Sequence, residues 1–319
     1  MDRPTALVPR HYVAVGPGPE DVVADPRGRV LTGVADGRIL RLDALGDRVA
    51  ARVEVIAETG GRPLGLELLP DGDLLVCDAT RGLLRVGTGD GTVRVLADSV
   101  AGEPLHFCSN VVSLSDGSVY FTVSSRRHPL EHWIGDIVEH TGTGRLLRLA
   151  PGGDPPEVVL DGLQFANGVA VGADESFLVV AETGARRMLR LRLTGPGAGR
   201  SESFAEDLPG MPDNLWRGAP DGPIWVALAG PRVPALDLLH RSAPGVRAAA
   251  ARAAVRAPFR PVGTIALQAY DDQGRLVHHL VRRHSGYRMP TSVCEAGGHL
   301  ILGSIWERGV AVCEPPARK

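Results

Sequence analysis

The sequence predicts an all-β protein: a six-bladed β-propeller forming one domain over residues 1–319, with a partly helical insertion between blades 5 and 6. Two observations carry this reading. A turn followed by a short apolar run recurs six times along the chain, five times of the Asp-Gly, Gly-Gly or Pro-x-Gly kind and once as Ala-Asp-Glu-Ser. The spacing of the copies also matches the roughly 40–50 residues of a propeller blade. The abundance of glycine (40) and proline (25) suits a fold with many tight turns.

The six copies are DPRGRVLTG (25–33), PDGDLLVCD (70–78), SDGSVYFTV (115–123), ADESFLVVA (173–181), PDGPIWVAL (220–228) and AGGHLILGS (296–304). Asp-Gly and Gly-Gly pairs are hairpin chemistry, because a type I′ turn needs positive φ at both central residues. Another short run precedes the turns, as in EDVVAD, LGLELL, NVVSL, NGVAVG and TSVCEA. A Gly-rich bend and a further strand follow most of them, as in DGRILRLD (36–43), RGLLRVG (81–87) and TGRLLRLA (143–150). That gives about four strands per unit.

The fifth and sixth copies stand further apart, and the extra length is 231–261. Its run 246–257 is rich in Ala and Arg with little β-branching, so it is expected to form a helical cap beside one mouth of the ring. Its arginines (Arg247, Arg252, Arg256, Arg260) read as a solvated face in preference to a membrane-surface helix.

The formal charge of −2 and 44% hydrophobic content leave no basic footprint for nucleic acid or an anionic membrane. No run approaches 18 apolar residues and the first residues lack a signal-peptide core, so a cytoplasmic protein is expected. Cys77, Cys108, Cys294 and Cys313 make no CxxC pair and no zinc pattern; they are expected as buried thiols, with Cys108 set apart because it lies two residues before the candidate site residue Asn110.

Four short motifs, GPED (18–21), CSNVV (108–112), FANGV (165–169) and MPDNL (211–215), fall at the start of the innermost strands. First residues of inner strands converge on one mouth of the channel. Glu20, Asn110, Asn167, Asp213 and Asn214 are therefore expected to meet there as an all-oxygen shell. Two carboxylates and three amide oxygens suit a hard divalent cation, calcium above all.

These residues and the surrounding stretches (GPEDVVADPRGRVLTGVADGRILRL, GRPLGLELLPDGDLLVCDATRGLLRV, LPGMPDNLWR) resemble the senescence marker protein/gluconolactonase superfamily. The resemblance is closest to its bacterial strictosidine-synthase-like branch, which is related to paraoxonases. It implies a six-bladed propeller and a catalytic calcium, or another divalent ion, at the five positions above. This chain also departs from its relatives. Val111 and Val123 replace carboxylates, so a second, structural calcium beside Asp21 is not expected. Leu64 stands where paraoxonases carry a catalytic histidine, and Thr291 where strictosidine synthase carries its glutamate.

The expectation is a metal-dependent hydrolase of a lactone or related ester, with Asp213 as ligand and candidate general base. Arg62, His106, Arg127, His128, His132 and Trp133 are candidate substrate-binding residues at the channel or its rim. The alternatives are a natural-product tailoring enzyme catalysing a cyclisation or rearrangement, favoured by the apolar valines, and a non-catalytic binding propeller. The expected partner is a small-molecule substrate.

Overall fold

The computed structural model describes residues 4–46 and 50–316. Six four-stranded antiparallel sheets follow one another around a central axis. Blade 1 is Val22–Ala24, Val30–Gly33, Arg38–Asp43 and Arg52–Glu58; blade 2 is Pro63–Leu68, Leu74–Asp78, Gly82–Val86 and Val93–Ala97. Blade 3 is Cys108–Ser113, Val119–Val123, Gly144–Leu149 and Glu157–Leu163; blade 4 is Ala166–Val171, Phe177–Glu182, Arg187–Arg192 and Ser201–Ala205. Blade 5 is Gly210–Trp216, Ile224–Pro231, Thr264–Tyr270 and Leu276–Arg283, extended by a parallel fifth strand, Thr5–Ala6. Blade 6 takes Pro290–Ala296, His299–Ser304 and Gly309–Cys313 from the end of the chain and its outermost strand, Pro9–Ala14, from the beginning. This exchange closes the ring and covers an edge that would otherwise be open to pairing.

Each of the six repeated turns joins the first and second strands of a blade, at the face of the ring opposite the mouth where the inner strands begin. The core lies between blades. Leu31 and Ile39 of blade 1 pack on Leu66 and Val76 of blade 2, for example. Inner strands approach so closely that glycine is obligatory at two positions. A Cβ on Gly65 would lie 2.4 Å from Asn110 Cα, and one on Gly168 would lie 2.3 Å from Leu215 N. The four cysteines are buried and free.

The insertion is not between blades 5 and 6, as the spacing suggested. It lies inside blade 5, between that blade's second and third strands, and contains helices α2 (Pro234–Leu239) and α3 (Pro244–Arg256). Both begin with proline at the first turn, where its missing N–H costs nothing. The two flanking strands run to and from the mouth, so a loop there can lengthen without disturbing a ladder. Blade 3 uses the same freedom. Between its second and third strands lies a second, shorter insertion with a turn of 3-10 helix, Leu130–His132, and a helix, Trp133–Glu139, numbered α4 here. Its seven residues are too few for a helical period to show in the sequence. α4 ends at His140 in the left-handed region (φ 57°), whose N–H bonds Asp136 O at 2.7 Å. Helices α3 and α4 pack together over the mouth. Among the described residues no helix is long and apolar enough to cross a membrane.

Candidate active site

The inner strands deliver their side chains to the axis through a repeated irregularity. In blades 2 to 5 the pairing between first and second strands slips at the mouth: Pro63–Asp78 then Leu66–Val76, Cys108–Val123 then Val111–Phe121, Ala166–Glu182 then Val169–Val180, Pro212–Leu228 then Leu215–Val226. Blade 6 slips between Pro290 and Ser292. A bulge of this kind frees a residue from the ladder and re-aims its side chain. The first freed residue of each blade, with Glu20 in blade 1, gives one ring: Glu20, Leu64, Ser109, Asn167, Asp213 and Thr291. All six line the floor of one cavity at the mouth.

The next residue of each motif forms a second layer below. Asp21 and Asn110 face the opposite cavity of the channel, and Asn214 is buried between the two. Ser109, and not Asn110, is therefore the structural counterpart of Asn167. The two asparagines look equivalent in sequence because CSN and FAN both end in Asn, but the bulge begins one residue earlier relative to the asparagine in blade 3. Asn110 spends its amide oxygen on Val169 N–H (2.9 Å) and leans its NH2 toward Asp21 (3.4 Å). It pins blade 3 to blade 4 and offers no free oxygen to the mouth.

The other four expected ligands come together. Asn214 Nδ2 donates to Glu20 Oε1 across the axis at 3.0 Å. Asn167 Oδ1 accepts from Ser109 Oγ, and its NH2 donates to Thr183 Oγ1, each at 3.1 Å. Asn167 also hydrogen-bonds Asp213. Within this cluster two buried oxygens have no partner: Glu20 Oε2 and Asn214 Oδ1. Burial pushes the Glu20 carboxyl well above the usual carboxylate range, with Asp213 and Asp21 adding to the shift and Arg62 opposing it. Burial likewise raises Asp213. Carboxylates in such a place are costly unless a positive charge joins them.

The donor set fits a hard cation. Glu20, Asp213 and Asn214 supply two acidic groups and a bare amide oxygen, and Asn167 a further amide oxygen shared with Ser109. Among the described residues no three His, Cys, Asp or Glu side chains gather as a metal-binding group, so the amides are essential to any such site. Asp21 is differently employed. Its Oδ1 accepts Val22 N–H and its Oδ2 accepts Leu66 N–H, both at 2.8 Å, which staples blade 1 to blade 2. Val111 and Val123 lie in the core between blades 2 and 3, 1% and 3% exposed, and neither lines the mouth. The apolar character expected from those valines comes instead from other residues.

Those residues stand above the floor ring, in a cavity of about 330 Å³. Phe107, Phe165, Met211 and Met289 each precede a floor residue by two positions. Phe107, Phe165 and Met289 are held at φ of 59°, 60° and 48°, a left-handed conformation that is strained for bulky residues. Phe107 and Phe165 meet edge to face at 5.4 Å. Ile137 and Trp133 of α4 and Leu236 of α2 form the roof. Sequence reasoning missed all of these except Trp133. The signal was present as a bulky apolar residue two places before Ser109, Asn167, Asp213 and Thr291.

Of the six candidate substrate contacts, only Trp133 lines this cavity. Arg62 lies beside Glu20 and donates from Nη1 to Gly18 O at 2.9 Å. Its charge is spent on stabilising the floor. Arg127 and His128 both bind Glu139, at 2.7 and 2.8 Å, and so anchor α4 to its blade. His106 lines a separate lateral pocket with Glu103 and Arg126, and His132 is exposed at the start of α4.

Fold and site define a six-bladed propeller with an acidic, amide-rich floor under an apolar cavity. Similar solved structures include a gluconolactonase from Xanthomonas campestris (TM-score 0.67, 16% identity, covering 98% of this chain and 95% of that one). Another is the calcium-binding protein regucalcin from Agrobacterium tumefaciens (TM-score 0.66, 15% identity, 98% and 95%). At these identities the likeness concerns the fold. Residues 110–196 match the strictosidine synthase family and residues 13–42 the N-terminal part of the strictosidine synthase-like family. The chain is 30% identical over 320 residues to the adipocyte plasma membrane-associated protein of Bos taurus, covering 90% of this chain and 73% of that protein. It is 37% identical over 228 residues to the Arabidopsis thaliana protein strictosidine synthase-like 10, covering 66% of this chain and 60% of the relative. The chain belongs to the strictosidine synthase-like family. The matched region spans about 60% of the length of the plant relatives.

Proposed function

We propose that this protein is a divalent-metal-dependent hydrolase, calcium being the best-suited ion, acting on a lactone or related ester at the mouth of its channel. One observation carries the reading: on the hydrogen-bonded pair Glu20 and Asn214, Glu20 Oε2 and Asn214 Oδ1 are buried and unpartnered, and the Asp213 carboxyl is near enough to raise Glu20 further. Glu20, Asp213, Asn214 and Asn167 would hold the ion. Bound there, it would polarise a carbonyl oxygen and stabilise the charge that develops on it.

The chain's own residues do the rest. Asn214 orients Glu20, Ser109 and Thr183 orient Asn167, and Arg62 favours the ionised form of Glu20. Asp213, a ligand with an elevated proton affinity in the ion-free site, is the candidate general base for the attacking water. The apolar roof excludes bulk water, which strengthens these charge interactions.

The test is turnover on a panel of γ- and δ-lactones and simple esters, with and without a chelator, in the wild type and Asp213→Ala. The reading requires chelator-sensitive hydrolysis that falls by at least about a hundredfold in the variant. Hydrolysis untouched by chelator would remove the metal from the mechanism. A metal-binding protein that cleaves no lactone or ester would favour the second reading, a cyclisation or rearrangement. That reading draws support from the large apolar cavity and from membership of the strictosidine synthase-like family.

A further inference from the structure

Apart from Arg260, which follows Phe259 in the sequence, the cavity's polar side chains lie at or beside its floor, and the other walls and the roof are apolar. A reacting carbonyl can be satisfied at the floor. Hydroxyls elsewhere on a substrate would meet Phe107, Phe165, Ile137 and Leu64, and would be buried without partners. Polyhydroxylated lactones therefore fit poorly, although the fold is shared with a gluconolactonase.

The way in runs past one residue. Phe259 follows α3 in a stretch, 258–262, that belongs to no helix or strand. Its ring is 37% exposed and yet lines the cavity, so it borders both solvent and the interior. It meets Trp133 of the blade 3 insertion edge to face at 5.1 Å and Trp306 of blade 6 at 6.1 Å. Ring contacts to two other blades thus hold the segment across the mouth, where a strand ladder would have held it rigidly. Prolines at 258 and 261 restrict the segment on either side of the ring.

We propose that Phe259, seated between Trp133 and Trp306, is the gate of the cavity, and that gate and walls select substrates whose non-reacting part is apolar. A volume of about 330 Å³ equals roughly eleven water volumes, so the enclosed substrate as a whole should have about ten heavy atoms. The substrate class rests on the reading of the floor as a carbonyl-binding centre; the gate does not.

Binding of methyl n-alkyl ketones of four to fourteen carbons, which cannot be hydrolysed, tests this without turnover. Affinity and stopped-flow rates are read from the fluorescence of Trp133 and Trp306. The expected affinity rises roughly fourfold per added methylene and stops rising near ten carbons, and glucono-δ-lactone does not compete. Phe259→Ala speeds association and dissociation together by at least tenfold and moves the plateau to longer chains. Phe259→Trp slows both rates, a result that a merely structural defect would not give. Affinity that ignores chain length overturns the apolar selection, and unchanged rates in Phe259→Ala overturn the gate. Ketones that bind as expected to a protein that cleaves no lactone or ester would sink the hydrolase reading and leave the gate standing. Lactone hydrolysis indifferent to chain length and to Phe259 would do the reverse.

Discussion

Two residues with the same name can sit at the same motif and do different work. Asn167 is freed by its bulge and faces the cavity; Asn110 lies one layer down and is used up on Val169 N–H. Asn110→Ala should therefore weaken the seam between blades 3 and 4, with loss of a buried hydrogen bond costing about 1–3 kcal/mol. Ion affinity should change less than in Asp213→Ala or Glu20→Gln. Thermal unfolding beside calcium titration by calorimetry separates the two effects, and an equal loss of ion affinity in all three variants would return Asn110 to the shell. Gly168 gives a second case. Its absent Cβ would collide with backbone of the neighbouring blade, which cannot move aside as a side-chain tip can. Gly168→Ala should lower stability by at least about 1–3 kcal/mol, the usual cost of overpacking, read as a lowered denaturation midpoint.

At the scale of elements, the cap is two insertions from different blades joined by a pair of imidazoles. His140 at the end of α4 stacks on His240 at the end of α2, with ring centroids 4.0 Å apart, and His240 Nε2–H donates to Ile137 O. Burial, then His240, Arg247 and Arg187, depress His140 to about 4. Burial also lowers His240, opposed by its bond to Ile137 O and by Asp237, while Arg247 and Arg186 add to the shift. A histidine with a depressed folded pKa takes its proton in the unfolded state first. Its contribution to stability is therefore complete above about pH 6.5 and is lost as pH falls toward 4. His140 is only partly buried, so the effect is moderated by solvent. His140→Phe, which keeps a stacking ring but cannot protonate, should flatten the decline of Tm between these pH values. An identical slope in variant and wild type would show that other groups carry the acid sensitivity.

At the scale of the whole molecule, the ring is held by a strand from near the start of the chain. Pro9–Ala14 completes blade 6 against Gly309–Cys313 and carries buried Val13, while Leu7 just before it is 1% exposed. Deleting residues 1–14 removes the burial of both side chains, worth about 1.5–3 kcal/mol each, and bares an edge strand. The shortened protein should lose its single cooperative unfolding transition or aggregate on expression. A soluble product with unchanged Tm and a sharp transition would mean that the closure is dispensable.

The repeated turns, the alternation of short apolar runs and the Asn/Asp/Glu motifs at strand starts were enough to define six blades and to find Glu20, Asn167, Asp213 and Asn214. These are local signals, set by backbone dihedrals and hydrogen-bonding chemistry within a few residues. What lay beyond them depends on register and on contacts between distant segments. Ser109 replaces Asn110 at the floor because of where a bulge begins, and no composition of the motif reveals that. The insertion 231–261 belongs inside blade 5 because the strand after it, Thr264–Tyr270, pairs back with Ile224–Pro231. Arg127 and His128 leave the substrate for Glu139 once α4 folds over them. Phe259 becomes a gate only when blades 3 and 6 bring Trp133 and Trp306 to its two sides. The sequence by itself determined the blades and the acid and amide side chains gathered at the axis, since both are set by motifs that repeat along the chain. The tertiary structure alone decided which side chains face the cavity, since that follows from packing between segments as far apart as Glu20 and Thr291, 271 residues from one another.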